Sequence, residues 1–432
     1  MIDQVRSFIV ARFQRITRSI AFYPTVLALG FVLLAIFMRS VASAELTRYA
    51  NEVMPFLIIR DADVSLSILM TLVGGIISLM VFSFSMVMVV LSNATANLTP
   101  RLLPRLIENR RNQIVLGLCL GTILYDILVA LDYGPSSDTD RPPSLAVALA
   151  VVFGIVCMAS FVSFIHGVSR NVQVGAVLLD VHGEATAAIE GVLARNLRAG
   201  AEAAPPPHDD WVRVTSERAG FFQGVDPGGL RKFADDNDAR IVITAQRGAF
   251  LLPGDEIARV EPGVGLQVGR PALHSLFGFD MNELTHQYFV HGFERITEVA
   301  LKALSPGIND PGTALISIDY LKHLFTLTLA THGWEVLPGD AEGGKTRVWL
   351  ALESWSTLLE RTWTSLYNYA KDDAAVVLRM LTALEEIAPR VPAGQEARAE
   401  MIIRLTEPLR PRFEELRYAR SATGEEADAG QG

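Results

Sequence analysis

Apolar runs alternate with short charged stretches along the first part of the chain, and the longest run is too long for any soluble core. Residues 64–98 carry no charged side chain over 35 positions, between Asp63 and Arg101. As a helix this run is roughly 50 Å long at the standard rise, against a hydrocarbon layer of about 30 Å. The pattern therefore predicts a helix that crosses a bilayer and projects beyond it. Residues 20–38, 114–131 and 145–165 are apolar runs of one crossing each. The expectation is a transmembrane domain of four helices over residues 20–165.

Charge sets the orientation of these crossings. Arg6, Arg12, Arg15 and Arg18 precede the first run, and Arg101, Arg105, Arg110 and Arg111 follow the second, whereas Asp132, Asp138 and Asp140 lie after the third. Basic loops stay on the cytoplasmic side, so the pattern places both termini in the cytoplasm. No cleavable signal pattern precedes the first run, and the basic stretch 1–19 reads as a cytosolic tail.

After residue 165 the periodicity changes. Residues 168–197 predict an amphipathic helix leaving the membrane, and 199–210, with Pro205, Pro206 and Pro207, a linker; together 166–210 form a connecting segment. Residues 211–276 are dense in β-branched runs and glycine turns. They predict strands near 212–215, 221–225, 241–245 and 249–252, a turn at Asp226-Pro227-Gly228-Gly229, and a small β-barrel-like module. From Met281 helical periodicity returns, broken by one hairpin between Val336 and Leu350, so 277–421 reads as a mainly helical domain. The acidic stretch 422–432 reads as disordered. The expected fold is thus a membrane α-helical region followed by a cytoplasmic α+β region.

Composition narrows the function classes. The 432 residues are 50% hydrophobic and 20% charged, with a net charge of -9. That balance suits a membrane and soluble mixture and argues against a nucleic-acid binder. Cys119 and Cys157 fall inside apolar runs and read as buried small hydrophobes rather than a disulfide framework.

Within the long second run Thr71, Ser78, Ser85, Ser92 and Thr99 are each seven positions apart. A seven-residue repeat drifts only about 20° per repeat on a helix, so the hydroxyls form one seam, flanked by Gly74, Val81, Met88 and Thr95. Either the seam packs against another helix, where small residues allow close approach, or it lines a path on which hydroxyls hydrate an ion. Asn93 and Asn97 add amides on a neighbouring face. Asp126 lies inside the third run; an acid there faces a cavity or partner, or reaches the interface and is solvated.

Three motif matches fail on context. Gly339 to Thr346 fits the letter of a phosphate-binding loop, but a strand pattern rather than a helix follows Lys345-Thr346. Glu283 with His286, and His291 with Glu294, lack the further carboxylates of a di-iron bundle, and the histidines are five apart instead of four. Gly263, Gly265 and Gly269 read as turns. No catalytic residue, metal site or cofactor is expected.

The most distinctive soluble stretch is Lys302-Ala303-Leu304-Ser305-Pro306-Gly307-Ile308-Asn309-Asp310-Pro311-Gly312-Thr313. It predicts a helix stop before Ser305-Pro306 and a new helix capped by Asp310 with Pro311 in first position. Alternatively Lys302, Ser305, Asn309 and Asp310 hold an ion or a partner's polar group. The run Ser305 to Pro311 followed by Thr313-Ala314 resembles the signature of a bacterial inner-membrane family catalogued as domain of unknown function 2254. Thr99-Pro100-Arg101-Leu102-Leu103, Leu116-Gly117, Phe164-Ile165-His166 and Gly220 to Asp226 match that family in order. The resemblance implies a multi-pass protein of the bacterial inner membrane and names no activity. The leading expectation is an oligomeric channel or transport-type protein with a cytoplasmic regulatory domain, whose partners are the bilayer, its own copies, and an ion or small molecule. A membrane-anchored regulatory or scaffolding protein without conduction, and a membrane-bound enzyme, stay open.

Overall fold

A computed structural model describes residues 21–41, 61–97, 110–131, 144–171, 174–199, 204–262, 273–281, 288–337 and 347–422. The chain divides into two compact units, Met1–Ala176 and Val177–Gly432. Outside the described residues lie the arginines before residue 20, Arg101, Arg105, the acidic loop after Leu131, Glu283, His286, the glycines from Gly263 to Gly269, and the Gly339 to Thr346 motif.

The apolar runs of the first unit form α1 (Phe22–Val41), α2 (Ala62–Asn97), α3 (Arg110–Ala130) and α4 (Ser144–Asn171). Helices satisfy every backbone group internally, as lipid demands. Among the described residues three segments are long and apolar enough to cross a membrane: Ala62–Val89, Arg110–Ala130 and Leu145–His166. The apolar part of α1, Phe22–Met38, is shorter, so the expected fourth crossing is not established by its length.

Helix α3 is the centre of this unit. It is 56% buried along its apolar window, against 22% for α4 and 6% for α2. Two glycines let α1 close on it: a Cβ at Gly117 would stand 2.8 Å from the Pro24 Cα, and one at Gly121 would stand 2.6 Å from the Phe31 ring. Phe31 and Tyr125 both meet Phe153 of α4 edge to face. Leu69, Val129, Val147 and Ala150 complete that layer.

In the second unit α5 (Val174–Ala199) is amphipathic, with Leu178, Val181, Ala185, Ile189, Val192 and Asn196 buried. Of the expected helix over 168–197, residues up to Asn171 belong to α4 and those from Val174 to α5. After the prolines come β1 (Val212–Thr215), β2 (Gly220–Val225), α6 (Pro227–Asp236), β3 (Ile241–Ile243), β4 (Phe250–Leu251), β5 (Glu256–Val260) and β6 (Phe277–Asp280). The Asp226 to Gly229 stretch is not a turn but the start of α6, because Asp226 caps it by accepting from the Gly228 N–H and Pro227 sits in the first turn.

The β region is not a barrel. It forms two open sheets, one of five strands in the order β1-β5-β3-β8-β7 and one of three in the order β4-β2-β6. The expected hairpin is present as β7 (Trp334–Leu337) and β8 (Val348–Ala351), and β8 runs parallel to β3, from a distant part of the chain. Alternation sends Ile241 and Ile243 into one core with Phe222, Leu230 and Phe277, and Val242 to the other face with Trp211, Val336 and Trp349. The open edge at β7 is covered: Asn196 of α5 donates to the Trp334 carbonyl at 2.7 Å and accepts from the Val336 N–H at 3.1 Å.

The helices that follow are α7 (Val290–Ala303), α8 (Pro311–Thr328), α9 (Trp355–Ala370), α10 (Ala374–Ile387), α11 (Glu396–Thr406) and α12 (Leu409–Ala422). Phe293, Phe325, Trp355 and Trp363 pack edge to face or tilted at their centre. The Trp355 indole donates to the Phe325 carbonyl at 3.1 Å.

Candidate functional site

On α2 the described part of the hydroxyl seam is exposed. Thr71, Gly74, Gly75, Ser78, Ser85 and Ser92 are exposed, while Ser65, Leu69 and Ile76 are buried against the bundle. The hydroxyl hydrogens of Thr71, Ser78 and Ser85 are donated to the carbonyls of Ser67, Gly74 and Val81 one turn back, at 2.7 to 3.0 Å. Each hydroxyl oxygen keeps its capacity to accept. A Cβ at Gly74 or Gly75 would meet nothing within 4 Å, so neither glycine serves a contact within the described residues. The side chain of Asn93, and all of Thr99, lie outside the described residues.

Asp126 is fully buried in α3 rather than solvated at an interface, and among the described residues neither carboxylate oxygen has a hydrogen-bond partner. One and two turns back on α3 stand Thr122 and Cys119. The Thr122 hydroxyl lies 3.3 Å from the Cys157 sulfur of α4 and donates to the Leu118 carbonyl.

In the second unit the Lys302 to Thr313 stretch closes on itself. The Ser305 hydroxyl donates to the Lys302 carbonyl at 2.6 Å, and the Ser305 carbonyl accepts from the Ile308 and Asn309 N–H groups. Asn309 holds φ at 49°, a left-handed backbone that asparagine tolerates better than most residues. Asp310 caps α8 by accepting from the Thr313 N–H at 3.1 Å and its hydroxyl at 2.6 Å. Helix-junction chemistry accounts for each of these contacts.

A polar network that sequence reasoning touched only at His291 and Glu294 joins several elements of this unit. His291 Nδ1 lies 2.9 Å from Glu294, and Arg361 of α9 reaches both Glu294 at 3.0 Å and Glu353 at 3.3 Å. The Tyr288 hydroxyl accepts from the Glu353 N–H at 3.0 Å, and the Arg247 guanidinium lies over the Tyr288 ring. Arg247 also pairs with the buried Glu335 of β7, which Arg195 of α5 meets at 2.8 Å. Burial pushes the Glu353 carboxyl above its ordinary value while Arg361 works against it. Only the i,i+3 pair His291 and Glu294 was legible locally; the other partners come from separate elements.

Helix α5 is held a second time by His182, whose Nε2 lies 2.9 Å from His323 Nδ1 and whose ring stacks on Tyr320 of α8. Burial first, then His323, lowers the His182 value below the usual imidazole range. An unfolded or undocked α5 therefore binds more protons below pH about 6.5, so docking weakens as the pH falls. Hydrogen exchange in α5 is expected to quicken at pH 5.5 relative to pH 7.5 beyond the intrinsic rate change, and His182→Phe is expected to abolish the difference. Equal protection of α5 at both values in the unaltered protein would reject this.

The family model described as "Predicted membrane protein (DUF2254)" matches residues 17–386. The chain is also similar to an uncharacterized protein of Mycobacterium tuberculosis and to one of Mycobacterium bovis, in each case 23% identical over 318 residues. Those matches cover 71% of this chain and 60% of the relatives, so the chain spans less than two thirds of their length. No solved structure matches. Since the family match takes in the apolar helices, both open sheets and the Ser305 to Asp310 junction, the chain belongs to the DUF2254 family of predicted membrane proteins.

Proposed function

We propose that this protein spans a bacterial inner membrane four times with both termini in the cytoplasm, and that it assembles as a homo-oligomer whose α2 helices surround a hydroxyl-lined path. An ion or small polar solute passes along that path, and the soluble unit, following α4 through α5, regulates its opening. The observation that carries this reading is the outward Thr71, Ser78 and Ser85 face of α2, whose hydroxyl hydrogens are used within the helix and whose lone pairs are left for a passing cation or for water. The two open glycines on the same face support close approach of a second copy.

A second reading, a membrane-anchored scaffold without conduction, is favoured by the same glycines, because Gly74 and Gly75 serve assembly whether or not solute flows. Substitution separates the two. Ser85→Leu and Ser92→Leu are each expected to abolish ion flux in reconstituted bilayers while leaving the oligomer intact. Flux unchanged by both would overturn the pore, and weakened oligomers from a protein with no conductance would establish the scaffold.

A further inference from the structure

The carboxyl of Asp126 is the one acid placed well inside the three membrane-length segments: Asp63 and Asp61 lie at the start of α2, and residues 64–98 are uncharged. It is fully buried, and among the described residues both of its oxygens lack a hydrogen-bond partner. Among the described residues no charged side chain reaches it. The described side chains of α1, Phe22 to Met38, include one titratable group, Tyr23, which lies under the Arg110 guanidinium near the opposite end of α3. Among the described side chains of α4 the titratable groups are Cys157 and, at its exposed far end, His166. On α3 itself Tyr125 is committed to the Ala146 carbonyl, and Arg111 is bonded to Ser163. Arg111 stands fifteen residues from Asp126, or about 22 Å along the helix.

An ionised carboxylate held in such a place without a partner costs several kcal/mol even after relaxation, and tens in the idealised limit. Neutralisation by a proton removes that cost, and neutralisation by a metal cation does not suit the site. Hard cations take about six oxygen ligands, and no cluster of three metal-binding side chains exists among the described residues. The Thr122 hydroxyl is already donated to its own helix.

We propose that Asp126 is a proton-binding site within the membrane unit: a neutral carboxyl at pH 7 that releases its proton only when the bundle admits water beside Thr122 and Cys157. Asp126 lies four residues before the end of α3 at Ala130, about 6 Å along the axis, so the route for the proton to that helix end is short. The bundle then has two arrangements, a closed one that carries the proton and an opened one that does not. This inference does not rest on the α2 path; either can fail alone.

The test is infrared spectroscopy of the full chain in lipid at pH 7. A protonated-carboxyl carbonyl band is expected, shifted in heavy water, removed by Asp126→Asn and kept in Glu353→Gln. Asparagine matches the neutral acid in shape, so this variant is expected to fold. The unaltered protein carrying aspartate labelled with carbon-13 at the side-chain carboxyl gives a second readout, because the same band must move on labelling. Absence of a band that responds to the label, or a band left untouched by a folded Asp126→Asn, would overturn the proposal.

Discussion

Gly292→Ala is expected to destabilise the second unit by about 2 kcal/mol, within the usual range for overpacking a filled contact. The opposite sign is the ordinary outcome, since alanine in place of a helical glycine stabilises by roughly 0.5–1 kcal/mol. Here α7 meets α5 at Gly292, where an added Cβ would stand 2.4 Å from the Ala185 Cβ and 3.5 Å from its Cα. The obstacle is the stub of a helix rather than the end of a flexible side chain, so the two helices must separate. Separation strains the bonds from Asn196 to β7 and the contact between His182 and His323. Denaturant unfolding of the full chain in detergent measures the loss. The companion change Ala185→Gly in the same molecule is expected to restore most of it, because it removes the atom that clashes. A more stable Gly292→Ala protein, or a double variant no better than the single one, would refute the contact.

Gly117→Ile is expected to detach α1 from α3 and lower the stability of the membrane unit by about 1–3 kcal/mol. Helices in lipid gain nothing from hiding apolar surface, so van der Waals contact between closely approaching backbones holds them together. At Gly117 the closest atoms to an added Cβ are the Pro24 Cα and the Leu27 Cδ1, both at 2.8 Å. One of these is main chain and cannot swing aside. Gly121 differs, because its obstacle is the Phe31 ring, which has rotamers to use, so Gly121→Ala is expected to cost less. Gly74→Ile supplies the control: with nothing within 4 Å of its Cβ, it leaves the folding of the single chain unchanged. Thermal unfolding in detergent checks all three, and equal effects at positions 117 and 74 would contradict the packing described.

Much of the second unit was legible because its signals are local. Asp310 and Pro311 open α8 as their helix-start chemistry predicts, and the strands near 212, 221, 241 and 250 lie where β-branched runs placed them. Asp226 misled because an Asp-Pro-Gly-Gly run suits a turn as well as a capped helix start, and only the apolar positions after it, Leu230 and Ala234, turned toward the core, separate the two. The barrel expectation failed for a different reason. Sheet closure is set by strand partners, and β8 joins β3 across about a hundred residues of chain, a pairing that no window of sequence records. The polar network around Glu353 and Glu335 was missed on the same ground.

By itself the sequence determined that this is a membrane protein, where its apolar helices run, and that hydroxyls recur along one edge of the longest of them, since each of these follows from composition and period along a single helix. Only the tertiary structure decided what those edges meet: that the described α2 hydroxyls are exposed, that Asp126 is enclosed without a hydrogen-bond partner among the described residues, and that α5 is fastened within the second unit at Ala185, His182 and Asn196. A helical period says which residues share a face, but the energy of burying or exposing that face depends on neighbours brought in from elsewhere in the chain.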